Sequence, residues 1–542
     1  MYRLVILHLL ICLFIKQNNA RIIPQDTSFN KGAYASAHQC NWLPCNAVGY
    51  PSSIFGYSVD CCTLQVPLNY AQQNQTINIS MTRLTPNVSA TVIKNTLFLL
   101  NGGPGDSGWS LFYTTPQLIP SSYGITIILP DHRGTGLSTL LSCDDNGSQN
   151  VTASCITYLT SKFGVTGLNQ FSITSAAHDL SIQIQSYKAS SPSLSRISIY
   201  GVSYGTFWLE RFLLIYPNLV QSAAMDGLYH PLLSSDSRTN IGVAPISYEF
   251  LKYCEQQVEC GQYFPVDQPP FIMLKNILQQ MDLNNQMCVS NNLTEFNLTS
   301  EILRYLLYTS MVTADTYFVR TIIPAVIFRL NRCNADDVSI LKYFFRVSLA
   351  NLNPVPDPNN PPGFLFSKAL QMNIILSETY LALNESYVNN SVILRWYNAT
   401  VFAPQKPLQY NSLYLQWPKY PLDQYRFQIS TYSPLLMLNG GLDAATITYQ
   451  SANLASITTP NRTFYEIPLA GHVTSTIAAV GYTCPLQLIL SWLFPLVFPA
   501  NWKDPSCIRN LPTSIDFVGE TEAVQQISMA LFNISQPFGP NN

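Results

Sequence analysis

The chain predicts an α/β fold, a mostly parallel sheet with helices on both faces, interrupted by a large helical insertion. Three observations carry this. Up to His230, short apolar or β-branched runs ending in glycine-rich turns alternate with stretches of helical spacing. Between Pro231 and Tyr425 such runs almost vanish, and they return at Ser433 and Arg462. The third is Arg196-Ile-Ser-Ile-Tyr-Gly-Val-Ser-Tyr-Gly-Thr206, a strand that enters a tight turn at Ser203 and is followed by a helix-like run that stops at Pro217.

In chain order, Met1-Tyr2-Arg3 is a positive start, Leu4 to Ile15 an apolar run, and Lys16 to Ala20 a polar exit ending in a small residue. That layout predicts a secretory signal over 1–20, too short to span a bilayer, with an uncleaved anchor as the competing reading. Residues 21–60 read as an irregular, disulfide-linked lead-in carrying Cys40 and Cys45. The first part of the core follows over 61–230. Cys62–Tyr70 and Thr76–Leu84 alternate and predict a β-hairpin joined through Ala71–Gln75. Asn95 to Gly105 is a buried strand ending in the loop Asn101-Gly-Gly-Pro-Gly105. Gly124 to Ser138 gives another strand and turn, Ser175–Tyr187 has helical spacing, and Ser222–Gly227 is a further short strand.

Residues 231–425 predict a helical cap, with helices at Tyr248–Cys254, Phe271–Leu278, Glu301–Tyr308 and Val338–Phe345 and a proline-rich interruption at 353–362. The competing reading is an unrelated second domain. The core resumes over 426–510, where two strands end in loops that carry Asp443 and His472. Leu486 to Phe498 is apolar but broken by Pro495, so a buried helix is expected rather than a membrane span. Residues 511–542 read as a C-terminal tail.

Composition narrows the function classes. The chain is 47% hydrophobic, and its charged residues are 11%, about half the usual share. With a net charge of -2 and no basic patch, nucleic acid is not an expected partner. Asn74, Asn78, Asn87, Asn146, Asn150, Asn292, Asn297, Asn384, Asn389, Asn398, Asn461 and Asn533 each begin an Asn-x-Ser/Thr, so glycans are expected to replace charge as the solubiliser. The 13 cysteines become an even number once Cys12 leaves with the signal, which predicts disulfides in an oxidising compartment. No Cys-x-x-Cys and no His/Cys cluster at zinc spacing occurs, and no cofactor or metal is expected.

Chemistry is concentrated in a few residues. A serine hydroxyl needs a base to take its proton, and the base needs a carboxylate to orient it. Ser203, Asp443 and His472 occur in the order nucleophile, acid, histidine used by α/β-hydrolases, each just past a predicted strand. The carboxyl ends of parallel strands gather along one edge, so distant residues meet there. His38, His132, His178 and His230 are the other histidines beyond the leader and read as structural. Asp226, at the end of the strand after the Ser203 helix, is the rival acid to Asp443. The backbone N–H of Tyr204 and that of Gly103 are the expected donors to an oxyanion.

Asn101-Gly-Gly-Pro-Gly-Asp-Ser107, Asp131-His-Arg-Gly-Thr-Gly-Leu-Ser138 and Gly201-Val-Ser-Tyr-Gly-Thr206 together resemble the proline iminopeptidase and tripeptidyl aminopeptidase family of serine peptidases, closest to the tripeptidyl branch. Cys62 to Tyr70, Met225-Asp-Gly227, Gly441-Leu-Asp443, Gly471-His472, Cys484 and Cys507 extend the resemblance over roughly Cys61 to Cys507. It implies an α/β-hydrolase fold with a cap, acting on peptides with free N-termini. Two positions depart from the family pattern. Asn101 stands where histidine is usual, and asparagine can still hydrogen-bond to the loop. Asn69 replaces an aspartate and is expected to be structural. The family's activity calls for an acidic group in the cap to hold the substrate amine, for which Glu249, Glu255 and Glu259 are the nearest candidates by position. The expected pairs are Cys254–Cys260, Cys143–Cys155 and Cys484–Cys507, with Cys45 meeting Cys61 or Cys62. Adjacent cysteines in a strand point apart and take different partners.

The resulting expectation is a secreted serine aminopeptidase that releases one to three residues through an acyl-enzyme, destined for the cell exterior or a lysosome-like compartment, with no membrane association after signal cleavage. A carboxylic-ester hydrolase with the same residues, and a non-catalytic binding glycoprotein on this fold, are the competing expectations.

Overall fold

The computed structural model describes residues 39–45, 51–88, 94–191, 195–312, 319–352, 364–404, 406–456 and 462–539. The leader over 1–20, His38, the proline-rich run 353–362 and Asn461 lie outside them. Among the described residues nine strands form one sheet: β1 (Ser53–Ile54), β2 (Tyr57–Asn69), β3 (Gln72–Pro86), β4 (Lys94–Leu100), β5 (Ile125–Pro130), β6 (Ser195–Val202), β7 (Ser222–Asp226), β8 (Leu435–Gly440) and β9 (Arg462–Ile467). Their order is β1-β2-β3-β5-β4-β6-β7-β8-β9. The β2–β3 hairpin joins β5 antiparallel, and β5, β4, β6, β7, β8 and β9 run parallel.

The hairpin is longer than its alternation suggests. Gln72 to Thr76 are exposed yet lie within β3, with Gln72 opposite Asn69 and Thr76 opposite Pro67, so the polar run expected as a loop extends the hairpin beyond the core. The turn is correspondingly short, and Asn69 Oδ1 closes it by accepting the Ala71 N–H at 2.9 Å. The departure at Asn69 is thus structural, as expected.

Parallel strands covered on both sides become apolar throughout. β5, β7 and β8 are buried at every position. Successive residues still divide between the faces. Leu435 and Met437 join one core with Ile197, Ile199 and the helices α1 (Ile173–Ser190) and α2 (Tyr204–Ile215). Leu436 and Leu438 join a second core on the opposite face.

The cap stretch is helical where helices were expected, each longer than its sequence core: α3 (Thr239–Gln256), Pro270–Asp282, α4 (Ser300–Val312) and Ala335–Leu352. Further helices at Ile323–Arg332, Lys368–Ile374, Asn390–Ala399 and α5 (Lys406–Tyr414) escaped the sequence reading. Lys368–Ile374 and α5 pack into the first core, while α3, Pro270–Asp282, α4, Ile323–Arg332 and Ala335–Leu352 build a third core that also takes in Leu442, Ala444 and Leu469, so this helical layer rests on the loops after β8 and β9. The apolar run from Leu486 is the buried helix α6 (Cys484–Leu493), which ends before Pro495 and packs into the second core. Residues past 511 are folded rather than trailing. Ile515, Phe517 and Phe538 are buried in the third core together with Phe532 of α7 (Glu522–Phe532).

The disulfides are Cys40–Cys62, Cys45–Cys61, Cys143–Cys155, Cys254–Cys260, Cys288–Cys333 and Cys484–Cys507. All the expected pairs are present, Cys61 and Cys62 have different partners, and Cys288–Cys333 is an addition. Among the described residues every sequon asparagine is exposed except Asn292, which is half-buried. No described helix is long and apolar enough to cross a membrane.

Candidate active site

Ser203 occupies the turn between β6 and α2 with φ 55° and ψ -130°, left-handed backbone that a non-glycine residue adopts only when its surroundings enforce it. The surroundings are named. The Ser203 N–H donates to Asp226 O at 3.0 Å, and both the N–H and the hydroxyl of Thr206 donate to Ser203 O. Gly205 lies on the Leu100–Asn101 backbone and Gly201 on Gly205, so a Cβ at either would collide with main chain. The two glycines of the motif are therefore required by packing between the turn and the end of β4.

β8 ends in Asn439-Gly-Gly-Leu-Asp443. Buried Asn439 fixes this end by accepting the Leu228 N–H at 2.8 Å and donating to Thr446 O at 3.0 Å. Asp443 is fully buried and accepts from the N–H groups of Ala445 and Thr446, both at 2.8 Å, and from the Thr446 hydroxyl at 2.6 Å. Its fourth donor is His472, whose Nδ1 lies 2.8 Å from Asp443 Oδ2. Burial disfavours the imidazolium, but the adjacent Asp443 carboxylate outweighs it, with Asp226 adding to the effect, and the His472 pKa is raised. The ring lies over Gly227, where a Cβ would come within 3.0 Å of its Cε1. Gly227 follows Asp226, whose carbonyl receives the Ser203 N–H, so the imidazole and the serine turn flank the same two residues.

Asp226 does not serve His472 as Asp443 does. Its carboxylate accepts from Thr474 N and Ser475 N, both at 2.8 Å, and from Tyr200 OH at 2.9 Å. It anchors the segment just beyond the histidine. The other described histidines are occupied elsewhere. His132 bonds to Arg133 O and to Tyr204 OH, His178 to Tyr216 OH, and His230 to Asn453. Burial drives His132 and His230 down to about 4.

The loop after β4 completes the site. Asn101 Nδ2 donates to Ser107 O at 2.8 Å while its Oδ1 accepts the Gly102 N–H at 2.8 Å, so asparagine braces this loop as expected. Gly102 touches Ser203. Gly103, at φ 108°, is exposed, and its N–H has no hydrogen bond among the described residues. The Tyr204 N–H, in the first turn of α2, is likewise uncommitted within the helix. Both expected oxyanion donors are thus free to donate to a ligand.

A parallel sheet whose strand leads into a strained serine turn, with an acid and a histidine following in that order at the ends of later strands, decides the architecture. The fold is that of the α/β-hydrolases. No protein-family model matches the chain, and no curated protein matches it by sequence. Among solved structures, the chain is similar to a thermophilic esterase from Thermogutta terrifontis (12% identity over 80% of this chain and 98% of that one, TM-score 0.31). It is similar also to a serine hydrolase from Cycloclasticus zankles (13%, 80% and 99%, 0.33) and to a peroxisomal alpha-beta-hydrolase from Saccharomyces cerevisiae (12%, 87% and 95%, 0.33). Strand order and the serine turn, rather than these likenesses, carry the fold.

Glu249, Glu255 and Glu259 are exposed, and no hydrogen bond or ion pair joins them to Ser203, Asp443 or His472 among the described residues. Glu259 lines a cavity of about 410 Å³ with Arg320, Asp516 and Phe517. The carboxylate beside the loop is instead Asp106, whose Oδ2 would lie 3.2 Å from a Cβ on Gly103. Burial pushes its pKa up to about 6, against the pull of Lys406. The sequence did contain this signal, since Asp106 sits inside the Gly-Gly-Pro-Gly-Asp-Ser run, but the run reads as scaffold. Lys406, whose charge acts on Asp106, carried no sequence signal at all.

Proposed function

We propose that the protein is a secreted serine hydrolase, and specifically an aminopeptidase acting through an acyl-enzyme. The observation that carries the reading is the buried Asp443–His472 pair held against Gly227 beside the strained Ser203 turn. His472 takes the Ser203 proton as the hydroxyl attacks a carbonyl, and Asp443 stabilises the imidazolium. The N–H groups of Gly103 and Tyr204 receive the oxyanion. Returning the proton to the leaving amine and admitting water complete the cycle.

Two features favour the amino end of a peptide. The helical layer rests on the strand-end loops, which suits a short substrate segment better than a chain passing through. Asp106 puts a carboxylate next to the Gly103 loop, where an ammonium close to the scissile carbonyl would offset it. Six disulfides and exposed sequons support an oxidising, extracytoplasmic setting.

The test is turnover of aminoacyl and tripeptidyl amides, their N-acetylated counterparts and short acyl esters. Ser203→Ala should lower kcat by about six orders of magnitude while the far-UV spectrum is unchanged. Ester cleavage without any amide cleavage would reject the peptidase reading, and unchanged amide turnover in the variant would reject Ser203.

A further inference from the structure

The loop that carries His472 is gripped from two sides. On one side lies the end of β8, so close that a Cβ on Gly440 or Gly441 would collide with the carbonyls of Pro468, Ala470 and Gly471. On the other side lies the helical layer. Arg320, buried in the turn Val319–Ile322, donates through Nη2 to Leu469 O. A Cβ on Gly471 would lie 3.5 Å from Arg320 Nη1 and 3.4 Å from Met311 O at the end of α4. One guanidinium thus reaches both Leu469 and Gly471, the residue directly before His472.

The histidine needs such a hold. Val473, directly after it, has φ 58° and ψ 87°, left-handed backbone that a β-branched residue adopts only under constraint. Beyond Val473 the constraint is Asp226, which takes the N–H groups of Thr474 and Ser475. Before His472 it is the β8 end together with Arg320. A relaxed loop would carry Nδ1 away from Asp443 Oδ2, which now lies 2.8 Å from it.

We infer that Arg320 is a positioning residue for His472, the contact by which the helical layer holds the base of the site in place. The inference rests on the serine-hydrolase reading and deepens it, and Arg320 acts through the backbone of the loop rather than on a reacting atom. The same side chain lines the cavity of about 410 Å³, whose walls run from exposed Glu259, Ser514 and Glu520 to buried Arg320 and Phe517. The cavity therefore leads from the surface to the guanidinium. Arg320 is the one basic residue among the described residues lining it, against the carboxylates of Glu259, Asp516 and Glu520. Truncating Arg320 leaves those carboxylates around a space that suits a small planar cation, so the lost group can be returned from solution.

The experiment compares the purified full chain with Arg320→Ala by the extent and rate of fluorophosphonate labelling of Ser203, and by kcat and KM on a short acyl ester. Labelling of the variant should still reach completion, which counts folded sites. Its rate and kcat should fall about 100-fold, the scale of a misplacement of about 1 Å, with KM within about threefold of wild type. Guanidinium at a non-denaturing concentration should raise the kcat of Arg320→Ala about tenfold, and equal sodium chloride or urea should not, since neither supplies a charged planar fork of donors. Arg320→Lys carries the test if Arg320→Ala does not label to completion. It keeps the charge but cannot span Leu469 O and Gly471 together, so it should lose about tenfold in kcat with KM unchanged. Wild-type labelling rates in either variant, a loss confined to KM, or a loss in Arg320→Ala that guanidinium leaves untouched would overturn the inference. Failure of the wild-type Ser203 to label would instead overturn the serine-hydrolase reading on which it rests.

Discussion

A Cβ added to Gly102 would stand 2.7 Å from the Cβ of Ser203 and 3.1 Å from its Oγ. The β4 loop and the serine turn therefore meet with no room for a methyl group, and the loop is positioned by contact with Ser203. Gly102→Ala should push the two apart by a few tenths of an ångström or more. A loss of about 100-fold in kcat is expected from that displacement, at a stability cost of about 1–3 kcal/mol. Ester turnover and the rate of fluorophosphonate labelling check this, and a variant that labels at the wild-type rate contradicts it.

The two carboxylates near His472 separate by role. Asp443→Asn should leave the histidine near its place but in the wrong tautomer, lowering kcat by about 10⁴. Asp226→Asn faces Thr474 N–H, Ser475 N–H and Tyr200 OH with an amide that cannot accept all of them. It should cost about 1–3 kcal/mol of stability and much less activity than the first variant. Urea unfolding under non-reducing conditions, together with kcat, distinguishes them, and equal losses of kcat would contradict the assignment.

Much of this was legible in the sequence because it is carried by local pattern. The Ser203 turn shows in two glycines at fixed offsets, and the strands before Asp443 and His472 show as apolar runs ending in glycine. The ranking of Asp443 over Asp226 was readable as a loop type, but its physical reason, that His472 Nδ1 reaches Asp443 while Asp226 turns to Thr474, Ser475 and Tyr200, is a tertiary fact. The cap was legible as helical and little more. Ile323–Arg332 has clear helical periodicity behind a proline in its first turn and packs into the third core, while the polar Lys406–Tyr414 is held by Tyr410 and Leu413 in the first core. Asp106 and Lys406 are 300 positions apart in sequence, so nothing local announces that their charges act on each other.

In the proposed mechanism, His472 sets one limb of the pH profile. The base must be neutral to accept the Ser203 proton, and the Asp443 carboxylate raises its folded pKa above the usual histidine value against the effect of burial. Turnover of an uncharged ester should therefore rise with pH through a midpoint above about 6.5. The same shift makes a stability contribution that is fully present below the unfolded pKa and lost as pH rises through the folded one. In Asp443→Asn the midpoint should fall, because burial remains and the carboxylate is gone. A midpoint that does not move would show that Asp443 does not control His472.

In the proposed reading, Asp106 sets a second limb that can be isolated by a ratio. Its folded pKa is raised to about 6, first by burial, so the carboxylate loses its charge as pH falls through that value. Esters that differ only in a free or an acetylated α-amine share the His472 requirement, and dividing one kcat/KM by the other cancels it. If Asp106 holds the ammonium, the ratio should favour the free amine above about pH 6 and decline below it. It should decline again on the alkaline side as the substrate's own amine, with a pKa of about 8, loses its proton. Asp106→Asn should flatten the acid limb and leave the alkaline one, since only the latter belongs to the substrate. An acid limb that persists in Asp106→Asn would assign the ammonium to another carboxylate.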